Sequence, residues 1–167
     1  MSATTNETKS IEAKLKDLGL KLPEPVKVPP EVKLPFSFVR VRGSQAYIAG
    51  HGPQNPDGTI ARPLGKVGKD LSLEQGYQAA RLTALSILAN LKRELGELDR
   101  VAAWLRVFGM VNAAPGFSQL PQVINGFSDL ILELYGPQRG AHARSAVGVA
   151  ELPFSMPVEI EAAVEIA

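Results

Sequence analysis

Arg144 and Glu159 are the residues of this chain whose type and surroundings best suit chemistry on a small anion. Arg144 lies in His142-Ala143-Arg144-Ser145-Ala146-Val147-Gly148-Val149. In a β-strand it shares a face with Ala146, Gly148 and Ala150, so a guanidinium fork stands beside three small side chains. That leaves an empty volume with a planar cation at one end, a shape that suits a carboxylate. The same pattern fits an arginine paired with a glutamate on a neighbouring strand. Glu159 belongs to a segment in which Val158, Ile160, Ala162, Val164 and Ile166 alternate with Glu159, Glu161, Ala163 and Glu165. There its carboxylate is either a solvated strand residue or a group that orients water and moves a proton. His51 and His142 are the only histidines. They stand either as loop residues bonded to backbone or water, or as a proton relay at the rim of one pocket. Two histidines without a third ligand make a poor metal site, and Gly65 and Gly68 lack the remaining spacing of a phosphate loop. No metal or cofactor is expected.

Composition narrows the classes. The 167 residues, 45% apolar and 21% charged, suffice for one globular core. A net charge of +1 without a basic cluster argues against nucleic acid as a partner. The absence of cysteine excludes disulfides, thiolate metal sites and thiol nucleophiles. No apolar run approaches the length of a membrane span, and Met1-Ser2-Ala3-Thr4-Thr5-Asn6 lacks the apolar core of a signal peptide, so a cytoplasmic, membrane-free protein is expected.

The elements that must position these residues follow from periodicity. Ile11, Leu15 and Leu18 predict a short helix stopped by Gly19. Five prolines between Pro23 and Pro35 forbid helix and predict an extended strap, packed on the domain or loose as a linker. Residues 1–35 are thus read as helix and arm, and 36–167 as the main domain. Phe36–Val41 and Ala46–Ala49 form a hairpin around Gly43-Ser44, followed by a long Gly- and Pro-rich loop over 50–70. Ser72 with Gln75 opens a long amphipathic helix that runs to Gly96. Val101–Val111 reads as a strand buried on both sides, with Trp104, Phe108 and Met110 on one face and Leu105, Val107 and Val111 on the other. A second helix begins near Pro121 and stops at Gly136. The expected fold is α+β, with two helices covering one face of a mixed sheet. The other face needs cover from further copies, which a closed ring would supply and which would place Arg144 near a subunit boundary.

The Ala49-Gly50-His51-Gly52-Pro53 turn, the Arg144-Ser145 strand, the Leu152-Pro153 turn and Val158-Glu159-Ile160-Glu161-Ala162 occur in the order found in the Rid/YjgF family, also labelled endoribonuclease L-PSP. The chain resembles that family over roughly residues 35 to 166. The resemblance implies a chorismate-mutase-like fold, a homotrimer with sites at subunit interfaces, and hydrolysis of reactive 2-imino acids to 2-oxo acids and ammonia. It matches Arg144 to the arginine that holds the substrate carboxylate and Glu159 to the glutamate near the substrate nitrogen or attacking water. It matches Asn125 to a helix asparagine that shapes the site and Gly50 to a turn against the ligand. Phe36 stands where an aromatic hydroxyl is usual, and Ala146 where cysteine is frequent. With the longer Gly136–His142 connection and the Pro-rich arm, these departures mark a distinct subgroup.

Three functions are therefore carried forward. The first is a 2-imino acid deaminase, with Arg144 and Glu159 as its catalytic pair. The second is a non-catalytic sensor of small carboxylates, and the third is a ribonuclease or translation inhibitor, disfavoured by the near-neutral charge.

Overall fold

The computed structural model describes residues 9–167. Helix α1, Ile11–Asp17, opens at Ser10, whose hydroxyl accepts from the Ala13 N–H at 3.1 Å. Gly19 turns left-handed (φ 66°) just beyond it. Ile11 and Leu15 join the main hydrophobic core. Asp99 accepts from the Ile11 N–H (2.9 Å), and the Lys14 ammonium caps the Leu134 carbonyl (2.9 Å). The proline strap bonds the long loop through Glu24 N–H to Pro56 O (2.9 Å) and Lys27 N–H to Gly58 O (3.2 Å). The helix and the strap up to Lys27 are therefore packed on the domain, whereas Val28 to Ser37 lie exposed.

Strand β1 (Val39–Arg42) and strand β2 (Gln45–His51) form the expected hairpin around Gly43-Ser44. The strand starts later than the apolar run suggests, because the chain is still bending at Pro35, Phe36 and Phe38. Helix α2, Leu73–Leu95, has the full capping box of Ser72 and Gln75 and ends at Gly96. Strand β3 (Val101–Asn112), helix α3 (Leu120–Arg139), strand β4 (Ala143–Val149) and strand β5 (Val158–Ile166) complete the chain. Gly136, at φ 74°, breaks α3 where a stop is expected, and one further turn follows. The sheet order is β1-β2-β5-β3-β4, parallel between β3 and β4 and antiparallel elsewhere. Helices α2 and α3 cover one face, and α1 packs outside them against α3. Among the described residues no helix is long and apolar enough to cross a membrane.

Strand β3 departs from simple alternation. Against β5, Val101 faces Ile166, Trp104 faces Val164 and Val107 faces Ala162, with register shifts at Ala102 and at Leu105. Each inserted residue inverts the phase, so Val101, Trp104 and Val107 all point toward the helices at a spacing of three. Trp104 is therefore not on the face of Phe108 and Met110. It is 1% exposed and packs edge-on against Phe127 and Tyr135 of α3. Burying a side chain of that size contributes on the order of 3 kcal/mol.

The opposite face of the sheet lies open. Tyr47 is 51% exposed, and Phe108, Met110, Val147 and Ala163 are only half-buried beside Glu159, Glu161 and Glu165. Apolar side chains are thus set among carboxylates over this whole sheet face.

Candidate functional site

The site is built where α3 lies over the free edge strand β4. Helix α3 crosses α2 closely, because a side chain at Gly126 would run into the Tyr77 carbonyl. Its apolar stripe, Ile124, Phe127, Leu130, Ile131 and Leu134, is buried on the sheet. Asn125 and Ser128, one turn apart, are thereby carried to the flank above β4.

Arg144 reaches that flank. In the parallel ladder it stands opposite Val107, and Ala146 opposite Gly109, so both are on the helix side of the sheet. Arg144 Nη1 donates to Asn125 Oδ1 (2.9 Å) and to Ser128 Oγ (3.0 Å), and Nη2 lies 3.5 Å from the Pro121 carbonyl. The two protons of Nη1 are thus engaged. Nε and the second proton of Nη2, the edge which can grip both oxygens of a carboxylate, have no acceptor among the described residues. Burial draws the guanidinium below its ordinary range while nearby Asp129 acts the other way, and an arginine so placed stays cationic at neutral pH. Ala146 is half-buried on the same face, packed against the core, and Leu120 lies over Gly148.

His142 stands behind Arg144, not at the rim. Its Nδ1 lies 2.7 Å from the Gly140 carbonyl, which can only accept, so Nδ1 carries the proton and Nε2 is the acceptor. Ser128 Oγ, 2.9 Å from Nε2, donates to it. Burial, with Arg144 as a lesser cause, holds His142 below the usual histidine range.

Glu159 lies on the other face of the sheet. It stands opposite Met110 on β3, with its carboxyl against Gly50, where a Cβ would come within 2.9 Å of it. A bulge in β2, with Ala49 and Gly50 standing against Glu161 alone, shapes this contact. Burial and the like charge of Glu161 push the Glu159 carboxyl above its ordinary range, in the direction that suits a group exchanging protons near neutrality.

The candidate residues therefore fall into two groups. Asn125, His142, Arg144 and Ala146 gather at β4, whereas Phe36, Gly50, His51 and Glu159 lie toward the β1 end. Gly50 and His51 on β2 are three strands from β4, about 14 Å at ordinary strand spacing, and Glu159 on β5 is two strands away, about 10 Å, on the opposite face. Arg144 and Glu159 cannot close on one small ligand within a single chain, because the sheet lies between them.

The reading of His51 and His142 as a relay in one pocket is corrected by the same geometry. His51 is 4% exposed and faces α2. Its Nδ1 donates to Ala49 O (2.6 Å), and Asn90 Nδ2 donates to its Nε2 (2.8 Å). Burial depresses its pKa to about 4. Phe36, half exposed, lies edge-on to Phe38, which in turn packs on His51. Ser128 escapes the sequence reading altogether. Its one signal is that it follows Asn125 by three positions on a helix, which becomes informative only once Asn125 is known to face the site.

A model of the family described as "YjgF/chorismate_mutase-like, putative endoribonuclease" matches residues 12–159. The chain belongs to this YjgF family. Protein TCP17 of Trypanosoma cruzi is 39% identical over 156 residues, covering 93% of this chain and 94% of that protein. The crystal structure of Atu1372 from Agrobacterium tumefaciens, a protein described as of unknown function, superposes with a TM-score of 0.84 at 37% identity and covers 94% of this chain and 92% of that one. A protein of Shewanella oneidensis described as a putative endoribonuclease gives the same TM-score at 29% identity, with 95% and 100% covered. The YjgF match begins at residue 12, so it includes most of α1 and the whole strap, whereas the sequence motifs place the resemblance from about residue 35.

Proposed function

We propose that the protein is a deaminase for small 2-imino acids whose site is completed between copies of the chain in a homotrimer. The observation that supports this reading most is the state of Arg144: both Nη1 protons and one Nη2 proton have protein acceptors, while Nε and the other Nη2 proton have none among the described residues. A 2-imino acid brings a carboxylate to that edge and places its imine carbon a fixed distance beyond it. Glu159 of a neighbouring copy then activates water for attack at that carbon and returns the proton to the departing ammonia. The carbon–nitrogen double bond becomes a carbinolamine and then a carbonyl, with water as the only co-reactant and no covalent enzyme intermediate. The open sheet face that carries Glu159 is the surface by which copies would associate.

Light scattering tests the assembly and should give three times the monomer mass at micromolar concentration. Activity is tested by generating 2-iminopropionate with an amino-acid oxidase and following its decay, with RNA cleavage run on the same sample. The decisive experiment mixes two inactive variants, Arg144→Lys and Glu159→Gln, by co-refolding. If Arg144 and Glu159 act across an interface, mixed trimers recover a fraction of parental turnover. Mixtures as inactive as their components exclude a shared site.

A further inference from the structure

We propose that Ser128 and His142 are positioning residues for Arg144, forming a one-way hydrogen-bond relay that holds the guanidinium with its Nε–Nη2 edge presented to a carboxylate. The inference rests on the carboxylate-binding reading of Arg144 given above.

The direction of the relay follows from its last member. The Gly140 carbonyl has no proton to give, so His142 Nδ1 donates (2.7 Å), and in the neutral ring that burial favours Nε2 is left to accept. The Ser128 hydroxyl proton is then committed to Nε2 at 2.9 Å. Its oxygen is left to accept, and it does so from Arg144 Nη1 at 3.0 Å. Every donor therefore points from Arg144 toward Gly140. Asn125 supplies the second acceptor at 2.9 Å. Two acceptors on one nitrogen define the plane of the guanidinium; without Ser128 that plane rests on Asn125 and on the long Pro121 contact at Nη2 (3.5 Å) alone. Without His142, the Ser128 proton is no longer directed away from Arg144.

The ring itself is held. Phe127 lies edge-on to His142 with centroids 6.2 Å apart, Arg144 is the charged group that acts on the ring, and Asp129 acts in turn on Arg144. His142 is thus a tautomer-locked acceptor that acts through Ser128 and touches no ligand.

The test is calorimetric titration of the assembled protein with 2-oxobutyrate. The variants are Arg144→Lys, Ser128→Ala, His142→Leu, His142→Gln and the Ser128→Ala/His142→Leu double variant, each with its thermal midpoint recorded. Ser128→Ala should weaken binding about tenfold and His142→Leu about fivefold. The double variant should bind no worse than Ser128→Ala, since the two act in series. Glutamine places an amide oxygen where Nε2 stands, so His142→Gln should return to within twofold of the parent. That rescue is a result which loss of packing alone would not produce. If Arg144→Lys loses binding while Ser128→Ala and His142→Leu bind like the parent, the relay is overturned and the carboxylate site stands. If the two losses multiply in the double variant, or glutamine fails to rescue, the serial relay is wrong. If Arg144→Lys itself binds like the parent, the carboxylate reading falls and the relay falls with it. Should Ser128→Ala prove unfolded, the contrast between His142→Leu and His142→Gln decides alone.

Discussion

The two ends of the sheet carry nearly the same wiring and put it to different use. At β2, His51 donates from Nδ1 to a carbonyl two residues back and accepts at Nε2 from Asn90 of α2, whose amide oxygen in turn accepts from Arg93 at 3.1 and 3.0 Å. At β4, His142 donates to a carbonyl two residues back and accepts from Ser128 of α3, which accepts from Arg144. The difference lies in the outer arginine. Arg93 spends Nε and Nη2 on Asn90 and Nη1 on the Pro23 carbonyl of the strap, so the chain of bonds ends in the protein's own backbone. Arg144 spends Nη1 on α3 and keeps its bidentate edge for something else. A histidine, a polar helix residue and an arginine in line form a clamp when the last donor is consumed; the donors left open at Arg144 are what the proposed site rests on.

The largest expected effect concerns the clamp. Burial holds His51 neutral in the native protein with a pKa of about 4, whereas the unfolded chain titrates near 6.5. As pH falls below 6.5 the unfolded chain takes up the proton first. Stability is therefore full above that range and declines until the native ring titrates, by about 3 kcal/mol near pH 4. Urea unfolding from pH 7.5 to 4 measures this. The slope should flatten in His51→Leu, which itself costs about 2 kcal/mol at pH 7.5 by leaving the Asn90 amide unpaired. A parental profile in that variant would mean that the clamp does not titrate.

Arg144→Lys comes next. Lysine keeps the charge and loses the planar fork, so 2-oxobutyrate binding should weaken about 30-fold, equivalent to about 2 kcal/mol, with the thermal midpoint little changed. The matching exchange at the clamp, Arg93→Lys, should reverse the pattern, lowering stability by about 1 kcal/mol while ligand affinity stays within twofold. If both exchanges alter affinity alike, the distinction between clamp and site is lost.

The smallest effect lies on the open face. Glu159 is half-buried with its pKa raised by burial and by Glu161, so the unfolded chain loses this proton more readily and the ionised group disfavours folding as pH rises through the carboxylate range. Allowing for its contact with solvent, Glu159→Gln should stabilise the protein by a few tenths of a kcal/mol at pH 8 in chemical unfolding while imine turnover falls at least tenfold. A destabilised variant with full turnover would make Glu159 a structural residue.

Local rules carried much of this protein. The apolar period of α2 and α3, the Ser72–Gln75 cap, the stops at Gly96 and Gly136, the Gly43-Ser44 turn and the alternation of β5 all depend on residues a few positions apart, and each is in place. The placement of Arg144 with Ala146 and Gly148 on one face of β4 belongs to the same class, since strand period alone determines it. Trp104 does not, because two inserted residues in β3 reverse the alternation and become visible only against the partner strand. Nor does the separation of Arg144 from Glu159, which depends on which side of the sheet each strand turns outward and on the order β1-β2-β5-β3-β4. His51, Asn90, Ser128 and His142 show the limit most plainly. A side chain's type states what it can donate or accept, whereas the tautomer of a histidine and the direction of a serine proton are set by the one neighbour that cannot change its role, here a backbone carbonyl brought close by folding.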